Sequence, residues 1–171
     1  MRRWRGWLVA SVVLSVLAGA MARADEEKEE KVPLGKVPKA VIDAVKAKFE
    51  GAELVSAQKE KEDGKLVYEI NLKHRNHTIE VTVTPKGKIV SIEKTITVQD
   101  LPKAVAKAID SKYPKAAIEK AEEVTEGEKV SYEVLLVTAD KKIEVVLDAA
   151  GKIVKEEKKD RKGAKKEKEE K

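Results

Sequence analysis

Cysteine is absent from the 171 residues of the chain. Its absence excludes a cysteine nucleophile and an acylated lipoprotein cysteine. It also means that the fold must be held by its apolar core, without the disulfides that stabilise many small exported domains. This favours a single joint core over two small independent ones.

Aromatic residues are almost as scarce, at 4% of the chain. Trp4 and Trp7 lie in an N-terminal apolar segment, and the rest of the chain keeps only four others: Phe49, Tyr68, Tyr113 and Tyr132. No set of aromatics is available to stack on bases or sugars. Glycines are dispersed at predicted turns, so no glycine-rich phosphate loop is present either.

The N-terminus has the pattern of a secretory signal peptide over residues 1–24. Arg2, Arg3 and Arg5 precede an apolar run over residues 8–20, and an Ala-Arg-Ala sequence ends at Ala24. The run is short for a membrane span, although an uncleaved anchor is the alternative interpretation. We therefore expect a periplasmic or secreted protein, without a membrane association after cleavage.

Removal of this segment also removes most of the positive charge. The whole chain has a net charge of +5, and without the four arginines of residues 1–24 the remainder has +1. Lysines in the remainder are interleaved with glutamates and form no basic stripe, so nucleic acid is not the predicted partner.

Two charge-dense segments flank the central part of the chain. Residues 25–36 are predicted to form a charged, solvated linker interrupted by Pro33 and Gly35. Residues 159–171 consist almost wholly of charged side chains and are predicted to form a disordered tail.

Between these segments the sequence repeats with a period of 64 residues and without a gap. Pro38, Tyr68 and Gly87 return as Pro102, Tyr132 and Gly151. The period predicts two tandem units, at residues 37–98 and 99–158, rather than a solenoid of three or more repeats.

Each unit is predicted to fold as one helix followed by four antiparallel strands, which gives an α+β protein. The prolines suit a first helical turn, and Val41, Ala44 and Val45 follow at helical spacing. Turn residues and alternating apolar residues then predict strands at 53–61, 65–73, 78–84 and 88–97, and at 117–125, 129–137, 142–148 and 152–157. We expect a two-layer architecture with both helices on one face of a curved sheet.

Four glutamates are out of phase with the apolar strand positions and should point away from the helices: Glu69, Glu80, Glu133 and Glu144. A catalytic pair or a calcium site is one interpretation of such a face. General acid–base catalysis requires carboxylates in unlike environments, and no desolvating apolar residue alternates with these four. A solvated charged surface is the preferred interpretation, and partner recognition through it is the next.

His74 and His77 are the only histidines, and they lie in one connecting turn. They are weak candidates for metal ligands, because a metal site requires at least one further ligand. The second unit has Thr138 and Lys141 at the same places. No catalytic set and no cofactor are predicted.

The part of the sequence between the two charge-dense segments resembles a known family of exported bacterial proteins, the PepSY-like, beta-lactamase-inhibitor-like family. The resemblance rests on Asp100-Leu101-Pro102, Tyr113-Pro114, Tyr132-Glu133 and the Asp148-to-Gly151 turn, and it extends over residues 37–157. It implies tandem helix-plus-four-strand units and a binding role. Relatives by fold inhibit beta-lactamases through the sheet, but this chain lacks the aromatics and disulfides expected of that inhibitory surface.

The sequence therefore supports two hypotheses of different class. The preferred one is a non-enzymatic exported protein that binds a protein or peptide partner through the sheet face, as an inhibitor or regulator. The alternative is a periplasmic sensor of a small ligand or metal ion. The partner's identity and the oligomeric state are left open.

Overall fold

A computed structural model describes residues 29–62 and 64–160. The predicted signal peptide, residues 25–28 of the predicted linker and residues 161–171 of the predicted tail lie outside this part. Two helices are described, α1 at Lys39–Lys48 and α2 at Lys103–Lys112. The strands are β1 Glu30–Val32, β2 Glu53–Glu62, β3 Lys65–His74, β4 His77–Val83, β5 Ile89–Ile96, β6 Ala117–Glu126, β7 Lys129–Val137, β8 Lys141–Asp148 and β9 Ile153–Asp160.

All nine strands form one antiparallel sheet in the order of the chain. The sheet continues across the boundary between the two predicted units, because β5 pairs with β6 from Ile92 opposite Thr125 to Ile96 opposite Ala121. Helix α2 lies in the connection between these two strands. The predicted α+β class, with a curved antiparallel sheet and two helices, is confirmed.

Both helices begin immediately after a proline, Pro38 and Pro102, which occupy the N-cap positions. A proline loses nothing there, because its missing N–H would have no partner within the helix. Val41 and Val45 of α1 and Val105 and Ile109 of α2 are buried against the sheet. The helical spacing in the sequence therefore identifies the buried stripe of each helix.

The apolar interior consists of two clusters rather than the joint core that the sequence favoured. One joins α1 to strands β2–β4 through residues such as Val45, Ile70 and Val81. The other joins α2 to strands β5–β8 through residues such as Val134 and Val145. On the same side of the sheet, the Lys94 and Glu123 side chains form a salt bridge of 3.1 Å across the β5–β6 pair.

Tyr132 is buried in the second cluster, and Tyr68 packs against the first. Both tyrosines are therefore core residues, as their phase in the strands predicts.

The last turn of each unit packs against the beginning of its helix. Gly87 and Gly151 have φ values of 84° and 82°, a conformation that favours glycine. A Cβ atom on Gly87 would lie 2.6 Å from the Ala40 carbonyl oxygen of α1. Both the backbone angle and the close approach therefore require glycine at this turn.

Two segment boundaries differ from the prediction. Residues 30–36, assigned to a solvated linker, instead form β1 and a short 3-10 turn, because residues 30–32 pair with the edge of β2 at Ala57, Gln58 and Lys59. Residues 159 and 160, assigned to the tail, end strand β9.

No helix in the described part of the chain has both the length and the apolar character that a membrane span requires.

Candidate binding face

The sheet face opposite the helices contains at least one glutamate from each of seven consecutive strands, β3 to β9. Alternation and register place these side chains on the same side as one another and opposite the buried apolar residues. We call this surface the carboxylate face and define it by Glu69, Glu80, Glu93, Glu122, Glu133, Glu144 and Glu157.

Six of the seven stand directly opposite one another in adjacent strands. The three pairs are Glu80 with Glu93, Glu122 with Glu133, and Glu144 with Glu157. Like charges in directly opposed positions destabilise a sheet. The three opposed pairs therefore carry a cost to the fold, although lysines such as Lys120 and Lys142 share the face.

Several of these glutamates are buried, in contrast to the solvated surface predicted from the sequence. The exposed fractions of Glu69, Glu122 and Glu144 are 5%, 6% and 3%. The prediction failed because apolar side chains share this face: Val67, Val124, Leu135 and Val146 are all buried there. Such neighbours replace water around the carboxylates.

Burial changes the protonation of two glutamates on this face. It raises the pKa of Glu93 to about 7, with further contributions from the negative charges of Glu80 and Glu122. It also raises the pKa of Glu133 well above its usual range, and the charges of Glu144 and Glu93 act in the same direction. The Lys120 ammonium opposes both shifts but does not reverse them.

The chain supplies some compensating charge at β6. The Lys120 ammonium lies 2.6 Å from a carboxylate oxygen of Glu122, and the Thr95 hydroxyl donates a 3.4 Å hydrogen bond to the same side chain. Lys142 in β8 forms a 2.6 Å salt bridge with Glu119. Both lysines lie in the second predicted unit, whereas Thr95 lies in the first.

The four glutamates predicted from the sequence lie on the carboxylate face, but Glu93, Glu122 and Glu157 were missed. The cause is a set of β-bulges that shift the alternation. In β5, Ile89 and Ile92 both pack on the helix side, so counting by twos from Ile89 places Glu93 on the wrong face. The 64-residue recurrence of Glu93 as Glu157 was a usable signal.

His74 and His77 do not form a metal site in the described structure. They end β3 and begin β4, where they stand opposite each other. The His77 Nδ1 atom lies 3.2 Å from the Thr95 carbonyl oxygen, and the His74 ring meets the edge of Phe49 with ring centroids 5.7 Å apart. No group of three or more potential metal-ligating side chains occurs among residues 29–62 and 64–160.

Two family models match the central part of the chain. Residues 38–93 match the PepSY model, described as a peptidase propeptide and YPEB domain. Residues 76–155 match the PepSY-like model, described as putative beta-lactamase-inhibitor-like. Over residues 76–155 the chain is similar to the PepSY-like family. The family resemblance noted from the sequence is confirmed.

Solved structures share the fold of this chain. A protein from Bacteroides eggerthii, described as a putative periplasmic protein, has 15% identity and a TM-score of 0.64, with 71% of this chain and 88% of that chain covered. A BLIP-like protein from Bacteroides fragilis has 18% identity and a TM-score of 0.59, with 70% and 84% covered. No curated protein matches the chain.

Proposed function

We propose that this protein is an exported, non-enzymatic binding protein that holds a protein or peptide partner on the carboxylate face and thereby inhibits or regulates it. The observation that carries the proposal is the continuous row of glutamates from β3 to β9. Glu69, Glu80, Glu133 and Glu144 are the proposed contact residues.

The electrostatics of the row favour binding over catalysis. General acid–base catalysis is recognised by carboxylates whose environments push their pKa values apart. Here the pKa values of Glu93 and Glu133 are both raised, and burial is the main cause for both. Two desolvated acids that are shifted in the same direction, within a continuous row of glutamates, are instead suited to receive the positive charges of a partner.

The comparisons support a protein as the partner. The matching families are described as a peptidase propeptide domain and as putative beta-lactamase-inhibitor-like, and one fold neighbour is described as BLIP-like. Each description concerns an enzyme's inhibitor or propeptide. Export is supported by the signal-like residues 1–24 and by a fold neighbour described as periplasmic.

The finer architecture belongs to the same proposal. A helix followed by four strands occurs twice, and equivalent residues are 64 positions apart. We take the two units to be products of duplication, so that one sheet presents two related halves of a binding surface. The alternative of a small-ligand or metal-ion sensor, including one based on His74 and His77, has no observation of its own in its favour.

The test is affinity capture from the envelope fraction of the native host. A Glu69→Lys/Glu133→Lys variant should lose the partner captured by the wild type, because the reversed charges repel a cationic surface. A Glu50→Lys/Glu128→Lys variant makes the same change in net charge at exposed positions and should retain it. If both variants capture the same proteins as the wild type, the proposed face is wrong.

A further inference from the structure

The two halves of the carboxylate face can be compared position by position. Residues 64 apart occupy the same place in the register: Ser91 stands opposite Thr82 in the first unit, and Lys155 stands opposite Val146 in the second. The glutamates of the two halves correspond in the same way, Glu69 to Glu133 and Glu80 to Glu144. Differences between the halves can therefore be assigned to individual positions.

The largest difference is in the lysines. Three lysines on this face of the second half have small hydroxyl residues in their places in the first half. The pairs are Lys120 with Ser56, Lys142 with Thr78, and Lys155 with Ser91.

At two of the three positions the acid is lost together with the lysine. Lys120 forms a salt bridge with Glu122, and Gln58 replaces that glutamate in the first unit. Lys142 forms one with Glu119, and Val55 replaces that glutamate. Each exchange removes one positive and one negative charge, so the local charge balance is kept.

At the third position only the lysine is lost. Ser91 and Lys155 each have two neighbouring carboxylates. One belongs to the residue two positions further along the same strand, and the other lies two strands away across the sheet. These carboxylates are Glu93 and Glu69 in the first unit, and Glu157 and Glu133 in the second. The first unit therefore retains both acids and has a serine where the second unit has a lysine.

A second, independent observation concerns Ser91 itself. Its exposed fraction is 1%, and its hydroxyl has no hydrogen-bond partner among the residues that the structure describes. The side chain lies on the carboxylate face, since Ser91 precedes Glu93 by two residues in the same strand. A buried hydroxyl without a partner is costly, and a donor from a ligand would remove that cost.

We propose that the Ser91 hydroxyl, together with Glu69 and Glu93, forms a receptor for the ammonium group of a lysine side chain of the partner polypeptide. That lysine takes, in the first unit, the place that Lys155 occupies in the second. This inference rests on the proposed function, because it names the group through which the partner is held.

The chemistry of the receptor fits an ammonium. Lysine presents three donors on a compact charge, whereas arginine presents a planar fork suited to a single carboxylate. The acceptors here come from three side chains on two strands that are separated by β4, and neighbouring strands are about 4.8 Å apart. Acceptors from separate strands can surround a compact ammonium group more readily than a planar guanidinium group.

The experiment measures the binding of a short lysine-threonine peptide, blocked at both ends, to the purified protein by calorimetry. The same peptide with acetylated lysines keeps its length and loses its charge, so its affinity should fall roughly tenfold or more. Ser91→Lys supplies the missing ammonium from the chain and should weaken binding by a similar factor. Ser91→Ala, which removes only the hydroxyl, should weaken it by about threefold.

Lys155→Ser is the reciprocal variant and the matched control. It recreates the proposed receptor in the second unit, so a second equivalent of the lysine peptide should bind. Circular dichroism establishes that each variant is folded, and amide chemical shifts in the wild type should change near Ser91 and Glu93 on titration. This last measurement keeps the proposal testable if Ser91→Lys does not fold.

The failures of the two proposals are distinguishable. If wild type and Ser91→Lys bind the lysine peptide with equal affinity, the ammonium receptor is wrong. The same holds if an arginine peptide binds as tightly through Ser91. Neither result contradicts the proposed binding through the carboxylate face. If the Glu69→Lys/Glu133→Lys variant captures the same partner as the wild type, the proposed function is wrong. The receptor assigned to that partner is then wrong as well.

Discussion

Replacement of Glu93 by glutamine should make the protein more stable in neutral and alkaline solution. Burial raises the pKa of Glu93 from 4.5 to about 7. An acid whose pKa is higher in the folded state than in the unfolded state binds its proton more tightly when folded. Its contribution to stability is therefore fully present below pH 4.5 and is lost as the pH rises through 7.

The magnitude follows from the size of the shift. Each pKa unit corresponds to about 1.4 kcal/mol, so a shift of about 2.5 units corresponds to about 3 kcal/mol between the two ends of this range. Glutamine has nearly the shape of the protonated acid and does not ionise. At pH 8 the variant should therefore be more stable than the wild type by up to about 3 kcal/mol, whereas at pH 4 the two should agree within about 0.5 kcal/mol.

Urea unfolding followed by far-ultraviolet circular dichroism measures the free energy of unfolding between pH 4 and pH 8.5. Glu128→Gln, in the exposed turn between β6 and β7, is the matched control and should leave the pH dependence unchanged. If Glu93→Gln shows the same pH dependence as the wild type, or is less stable at pH 8, the desolvation of this carboxylate is refuted.

Three further predictions concern the fold. Gly87→Ala should cost at least about 2 kcal/mol, because the new Cβ meets the Ala40 carbonyl oxygen at a left-handed φ. In Glu156→Gln the loss of stability at acidic pH should be smaller than in the wild type. Hydrogen bonds, of which that from Lys112 contributes most, lower the pKa of Glu156 to about 2. The stabilising contribution of this carboxylate is therefore lost as the pH falls from 4.5 towards 2. Leu136→Ala should cost about 2–5 kcal/mol, because this side chain is fully buried.

Two of these changes have a control within the chain. Gly64 also has a positive φ, but nothing lies within 4 Å of its Cβ position, so Gly64→Ala should cost less than Gly87→Ala in urea unfolding. Exposed Leu66→Ala should change stability by less than about 0.5 kcal/mol. Equal effects at the two glycines would exclude the Ala40 contact as the cause. If Glu156→Gln loses stability at acidic pH as steeply as the wild type, the prediction for Glu156 is contradicted. A cost under about 1 kcal/mol in Leu136→Ala would contradict the prediction for Leu136.

Much of the fold is predictable because local signals agree with one another. Glycine after Pro85-Lys86 and after Ala149-Ala150 predicts tight turns, and Gly87 and Gly151 do have the positive φ that those turns require. Alternation in Tyr68, Ile70 and Leu72 predicts the face of the strand that packs against the helix, and in β3 Ile70 and Leu72 are fully buried on that face. Pairing of β1 with β2 is not predictable in this way, because three residues with one apolar side chain have no period to detect.

The candidate face is less predictable because its environment is created by distant parts of the chain. Alternation places Glu69 and Glu133 on the correct side of the sheet. It does not predict that this face is buried, because the burial depends on apolar side chains that share the face. The neighbouring pairs Leu135-Leu136 and Val145-Val146 were the available signal, since two consecutive buried residues point to opposite faces of a strand. The bulge between Ile118 and Lys120 then conceals the position of Glu122.

The two sides of the sheet divide the molecule differently. On the helix side the apolar residues form two clusters, one for each helix, and the Lys94–Glu123 salt bridge lies at the β5–β6 boundary. On the other side the charges are shared, because Glu122 of the second unit raises the pKa of Glu93 in the first, and Glu93 in turn raises that of Glu133. A positive charge received beside Glu93 therefore eases the ionisation of carboxylates in both units. Since β5 pairs with β6, the two halves of the sheet present one electrostatic surface, and a positive charge bound at one half lowers the pKa of carboxylates in the other.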